Sequence, residues 1–193
     1  MKTRSLITIG IFNALLLVLL GIGGMISALF PPLFIILPII FGLIGGPVFM
    51  YMIAKCEIRG IFAISGIIIG VCMLTMAPYG SMGISIILGG VFGEIAYGIA
   101  GSGKYVSAVI GYCLYILGYA FGEIFPFVFF TEAYIAQEAE KGGSTLHVVK
   151  ACVEMLNVPL LAVICILSIG AAILGSFWGR KLLRKHFEKA GLV

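Results

Sequence analysis

Every acidic side chain in this chain of 193 residues is a glutamate, because the sequence contains no aspartate. That absence removes Asp-based catalytic triads, Walker B carboxylates and EF-hand loops together. Two of the glutamates, Glu94 and Glu123, fall inside long apolar runs. An ionisable group in such a run is costly and marks a functional position by default. Glu123 follows Tyr105, where its run begins, by 18 residues, roughly 27 Å along a helix rising 1.5 Å per residue. It therefore belongs near one end of the helix, beside Phe125, Pro126, Phe129 and Phe130, either facing a ligand or solvated at the helix end. Glu94 stands ten residues before Lys104 and is expected to pair within a helix bundle or with a partner subunit.

Three other constellations imitate chemistry. The run from Gly98 to Lys104, Gly-Ile-Ala-Gly-Ser-Gly-Lys, fits the first seven positions of a phosphate-binding P-loop. It fails at Tyr105, where a Ser or Thr must hold Mg²⁺, and it follows an apolar helix instead of a strand. A tight hairpin between two helices accounts for it. Ser81 and His147 form a conceivable nucleophile–base pair, but Ser81 lies in a Gly-Ser-Met-Gly surface turn instead of a buried helix start, so no enzyme is expected. His147 alone is a conceivable ligand for a metal or haem-like group, and a lone His in a polar loop is more simply solvated. The five cysteines, Cys56, Cys72, Cys113, Cys152 and Cys165, are scattered without a CxxC pair. Neither a metal site nor a disulfide framework is expected, and no cofactor.

The elements that must position these residues follow from hydropathy. The chain is 62% hydrophobic and 10% charged, with a mean hydropathy of +1.22, whereas a soluble domain devotes about a quarter of its residues to charge. Apolar segments run from about residue 6 to 29, 33 to 54, 58 to 76, 82 to 100, 105 to 130 and 158 to 179. A bilayer-spanning helix needs roughly 20 residues, so the expected fold is all-α: a single bundle of six transmembrane helices over residues 1–193, with a basic tail at 180–193. The first segment is too long for a signal peptide and lacks its cleavage site.

The Lys and Arg residues orient the bundle. Lys2, Arg4, Lys55, Arg59, Lys104, Arg180, Lys181, Arg184, Lys185 and Lys189 share one side, and only Lys141 and Lys150 lie on the other. Cytoplasmic loops carry the basic excess, which places both termini inside. The net charge of +4 is thus a topology signal and a contact for anionic lipid, not a nucleic-acid surface. On the outer side the first loop, Phe30-Pro31-Pro32-Leu33-Phe34, is short and aromatic, and the third, Ala77 to Ser81, is a turn. The fifth, about Thr131 to Asn157, is long and mixed, and its apolar spacing predicts an interfacial helix lying over the outer face.

Pairs of small residues four apart recur: Gly10/Ala14, Gly42/Gly46, Gly66/Gly70, Gly89/Gly93, Gly118/Gly122 and Ala171/Gly175/Gly179. Such spacing lets helix backbones approach closely. Packing inside the bundle explains most of them; for the first helix, a docking face for another membrane subunit is the sharper reading.

Six helices, a tight aromatic first outer loop and a long covering fifth loop resemble the substrate-binding S subunits of energy-coupling-factor (ECF) transporters. The wording of the sequence is similar to the Trep_Strep family of such components. The resemblance rests on Gly45-Gly46-Pro47-Val48-Phe49-Met50-Tyr51-Met52, then Ala54-Lys55 and Arg59-Gly60, on Gly93-Glu94 through Gly103-Lys104-Tyr105, and on the tail from Gly179 to Gly191. It implies a bacterial, multi-pass plasma-membrane protein that captures a micronutrient in a pocket near the outer face. It also implies partners: a transmembrane T subunit, driven by two cytosolic ATPases, docking on a small-residue face of the first helix. Here that face reduces to Gly10 and Ala14, with Val18 in place of the next small residue. The outward-facing aromatic and polar groups that suit such a pocket are Phe30, Phe34, Tyr79, Glu123, Phe129, Tyr134, His147 and Asn157. A small channel or facilitator working alone is the alternative, and it requires a polar stripe through the bundle.

Overall fold

The computed structural model describes residues 3–27, 30–56 and 59–186. Lys2 and the end of the basic tail from Phe187 onward, including Lys189, lie outside them. Among the described residues all regular structure is helical: α1 (Thr3–Ser27), α2 (Pro31–Lys55), α3 (Ile61–Met73), α4 (Ser81–Ile99), α5 (Tyr105–Phe129), α6 (Thr131–Glu140), α7 (Leu146–Met155) and α8 (Val158–His186), with a 3-10 turn at Pro78–Gly80 before α4. Five of these helices are long and apolar enough to cross a membrane; α3 is apolar but has only 13 residues.

The helix boundaries have local causes. Pro31 and Pro32 open α2, where a fixed φ suits the first turn and the missing N–H has no intrahelical partner to lose. The third apolar run becomes a shorter helix than hydropathy alone suggests. Gly60 precedes it in the left-handed region at φ 98°, and the chain leaves it through Leu74–Met76 toward Pro78 and Tyr79, itself at φ 56°. The mixed fifth loop forms two short helices, α6 and α7, instead of one. The last helix runs past Gly179 to His186, so Arg180, Lys181 and Arg184 ride on α8.

Small residues set how closely the helices approach. The most extensive packing joins α2 to α8 and α4 to α5. A methyl group on Gly46 would lie 2.3 Å from the Gly175 carbonyl carbon, and one on Gly175 would lie 2.4 Å from the Leu43 carbonyl oxygen. Pro47, four residues after Leu43, has no N–H to occupy that carbonyl, which leaves it turned toward α8. Gly89 meets Gly118 across α4 and α5, and Gly66 meets Gly90 across α3 and α4. These pairs are intrabundle contacts, as the sequence spacing suggests. Gly10 differs: nothing lies within 4 Å of the space a methyl group there would fill, and Ala14 beside it is exposed.

Three polar side chains inside the bundle join helices. Asn13 of α1 donates to Ser65 of α3 at 3.0 Å. Tyr112 of α5 donates to the Gly42 carbonyl of α2 at 2.9 Å. Glu94 of α4 accepts from the backbone N–H of Gly60 and of Phe62. Around them Phe49 stacks on Phe62 and tilts against Tyr112 and Tyr115, all four rings fully buried. The glycine-rich link after α4 closes on itself, with Gly103 N–H donating to Tyr97 and the Ser107 hydroxyl close to the carbonyls of Gly101 and Lys104.

A roofed cavity with an unpartnered carboxylate

The ends of α1, α3 and α5 and the beginnings of α2 and α4 meet beneath α6 and α7, and a cavity of about 490 Å³ lies between them. Its wall is mostly apolar. Phe34 of α2 packs edge-on against Phe127 of α5 at 5.6 Å, and Phe127 lies 4.5 Å from Tyr134 of α6. Met25, Met73, Met76 and Met82 line it from α1, α3, the α3–α4 link and α4, and Val148 and Val149 come down from α7.

The roof is latched at one corner. Lys141, just after α6, donates to the Thr75 carbonyl at 2.9 Å, and Gln137 donates to the same oxygen at 3.0 Å. Lys141 also pairs with Glu138 at 2.9 Å, and the Thr145 hydroxyl donates to the other Glu138 oxygen. Burial by itself would raise the Glu138 carboxyl, but the Thr145 hydrogen bond and the hydrogen bond and charge of Lys141 together hold it below the usual carboxylate range. Burial, with the negative charges of Glu123 and Glu138 adding to it, pushes the Tyr134 phenol upward. Cys152 of α7 is buried against Pro31, and desolvation, followed by the Glu123 charge, pushes its thiol up to about 11.

Glu123 sits in the cavity wall with 2% of its surface exposed. The Tyr119 hydroxyl, one helical turn earlier, hydrogen-bonds its carboxylate, yet Oε2 is buried with no partner. An unsatisfied buried polar atom costs about 1–3 kcal/mol, more when charged. A group retained at that cost in an apolar cavity has the character of a ligand-orienting group.

Of the residues singled out in the sequence, Phe34, Glu123 and Tyr134 meet in the cavity wall. The others are placed elsewhere. Phe30 is 60% exposed ahead of α2, and Tyr79 is 75% exposed with its ring edge-on to Phe130. Phe129 is half-exposed on the outside of α5, stacked on Phe125. His147 is exposed on α7. Asn157 caps α8, its Oδ1 accepting from the Leu160 N–H at 2.9 Å. Sequence reading passed over Tyr119, Phe127, Glu138, Lys141, Thr145 and the methionines. Tyr119 and Phe127 were within its reach, because they stand four residues either side of Glu123 and so share its helix face.

A second hollow, at the opposite end, is bordered by Phe177, Arg180, Lys181 and Arg184. All four belong to α8, and Arg180 stacks over the Tyr105 ring at 4.4 Å. It presents a basic flank. Among the described residues no three His, Cys, Asp or Glu side chains cluster as a metal site would.

Residues 3–189 match a family described as a hypothetical bacterial integral membrane protein, Trep_Strep. No curated protein and no solved structure matches the chain.

Proposed function

The chain belongs to the Trep_Strep family of bacterial integral membrane proteins, and on that premise we propose that it is the substrate-capture subunit of an ECF-type importer. In this reading it is a multi-pass protein of the plasma membrane with six crossings, α3 the shortest, and both termini in the cytoplasm. The Lys/Arg distribution supports the orientation, which turns the α6–α7 roof and the cavity outward. The cavity admits a micronutrient-sized molecule, and a T subunit with two cytosolic ATPases supplies the energy for its passage. The exposed Gly10–Ala14 face of α1 offers the T subunit a surface that none of the described residues covers.

The observation that carries the proposal is the roofed apolar cavity with the buried, unpartnered Glu123 oxygen. The lower half of the bundle favours capture over a channel. Phe49, Phe62, Tyr112 and Tyr115 fill its interior, and Glu94 is committed to the start of α3, so no charged stripe runs through it among the described residues. Purification of the chain from its native host tests the proposal. A T subunit and two ATPases should accompany it, and ATP should be needed for uptake into proteoliposomes of the complex. Isolation of the chain alone, with steady ionic conductance in planar bilayers, would overturn it.

A further inference from the structure

We infer that the cavity selects an organic monocation, a small molecule with an apolar, ring-sized body and one protonated nitrogen seated on Glu123. The inference rests on the capture reading above and adds the chemical class of the cargo.

The hydrogen bonding in the cavity wall is incomplete at Glu123, and such a ligand completes it. Glu138 has both oxygens engaged, one by Lys141 and one by Thr145, and the Lys141 ammonium divides itself between Glu138 and the Thr75 carbonyl. That pair closes on itself. Glu123 has only the Tyr119 hydroxyl, and its buried Oε2 meets neither donor nor cation. Ionised, Glu123 would be a negative charge without a counter-ion in a space of about 490 Å³, a volume typical of small-molecule pockets. A cationic nitrogen donating to Oε2 supplies both the missing hydrogen bond and the missing counter-charge.

The remaining wall suits the same ligand. The rings of Phe34, Phe127 and Tyr134 offer faces that attract a cation. The methionine thioethers give a soft, adaptable surface for the apolar body. An anionic ligand would instead meet Glu123 head-on, and the nearest cation, Lys141, is already paired. A bare metal ion would find one uncommitted carboxylate and a hydroxyl where it needs a ring of donors.

A charge ladder on a constant body tests the assignment. The purified chain in nanodiscs is titrated calorimetrically with 2-phenylethylamine, 2-phenylethanol and 3-phenylpropanoate, and with the matching indole set of tryptamine, tryptophol and indole-3-propionate. The expected order is amine ahead of alcohol by about tenfold or more, the size of effect an unpaired buried charge imposes, with no binding of the acids. Glu123→Gln keeps the shape of the side chain and should erase the amine preference at an unchanged melting temperature. Binding of the alcohols or acids as tightly as the amines, failure of both amines to bind, or an amine preference that survives in a folded Glu123→Gln protein would each overturn the inference. Should Glu123→Gln not fold, the wild-type ladder decides alone. Co-purification of the T subunit and ATPases is scored separately. An intact assembly that prefers neutral or anionic probes overturns the cargo class only. Amine binding without any assembly overturns only the importer role.

Discussion

Glu94 caps a helix that it does not belong to. From α4 its carboxylate accepts the N–H of Gly60 at 2.7 Å through Oε1 and that of Phe62 at 3.0 Å through Oε2. These are among the donors that the start of α3 leaves without intrahelical partners, and a carboxylate there also complements the helix dipole. The sequence raised two roles for Glu94, pairing inside the bundle or with a partner subunit. In the structure both oxygens are occupied within the bundle.

Glu94→Ala should therefore cost about 1–3 kcal/mol, the penalty for buried donors left unsatisfied. The check is a lowered melting temperature in detergent, with the amine binding of the folded fraction unchanged. A melting temperature equal to that of the wild type would mean that water or lipid serves these donors equally well.

The α2–α8 contact sets a second expectation. A methyl group at Gly46 meets the backbone of Gly175 at 2.3 Å, and backbone cannot step aside as a flexible side chain can. Gly46→Ala should destabilise by about 1–3 kcal/mol, in the range of overpacked cores. Chemical denaturation monitored by Trp178 fluorescence, on α8, would register it.

Gly10 should behave in the opposite way. Its surroundings are open, so Gly10→Leu should leave the melting temperature of the isolated chain unchanged or slightly higher, since glycine is a poor helix residue by about 0.5–1 kcal/mol. The same substitution should abolish co-purification of the T subunit. Retained assembly would move the docking surface to another part of the molecule.

The corner latch carries a pH dependence of defined sign. Because the Glu138 carboxyl is held below its ordinary value of 4.5, its charged form stabilises the closed roof at pH values above that value. This contribution is lost as pH falls through 4.5 and on through the lowered value. Hydrogen exchange in α6 and α7, normalised to intrinsic rates, should lose protection as the protein is taken from neutral pH to below 4.5. Lys141→Met combined with Gln137→Leu should bring the same loss at neutral pH. A roof equally protected in that double variant would show that packing of Tyr134, Val148 and Val149 holds it without the latch.

Cys152 reports on the roof directly. It is buried on the inner face of α7 with its thiol pushed up to about 11. At neutral pH maleimide should modify Cys152 slowly, as peptide mass mapping would show. Cys152 should label faster in the Lys141→Met, Gln137→Leu protein and slower in the presence of 2-phenylethylamine.

The all-helical fold was legible because hydropathy and helix length are local properties. Glu123 was legible for the same reason: a carboxylate in an apolar run is conspicuous wherever it points. Which neighbours join it depends on angle around the helix. Phe127 lies one turn from Glu123 and lines the cavity, while Phe129, nearer the helix end and equally aromatic, turns outward. Glu138, Lys141 and Thr75 were harder still, because their connection crosses from α6 to the α3–α4 link. No periodicity within one segment encodes that contact. Two charges of the fifth loop, Glu138 and Lys141, close a roof through it. Asn157 shows the converse, a polar residue at a suggestive place whose side chain is taken up by the helix it begins.

The brevity of α3 has a mechanical consequence. Its 13 residues rise roughly 20 Å, against roughly 37 Å for the 25 residues of α5. In the six-crossing arrangement proposed above, its outward face, with Ile67 and Val71 about half-exposed, is apolar and would meet lipid. The hydrocarbon girdle of that arrangement would be narrower at α3 than at α5. A bilayer about 30 Å thick must pinch toward the narrow flank or the body must lean to share the mismatch, at a fraction of a kcal/mol per ångström. A body with such a girdle has a built-in direction of lean, so the work of rocking it in the membrane is smaller toward one side than toward the other.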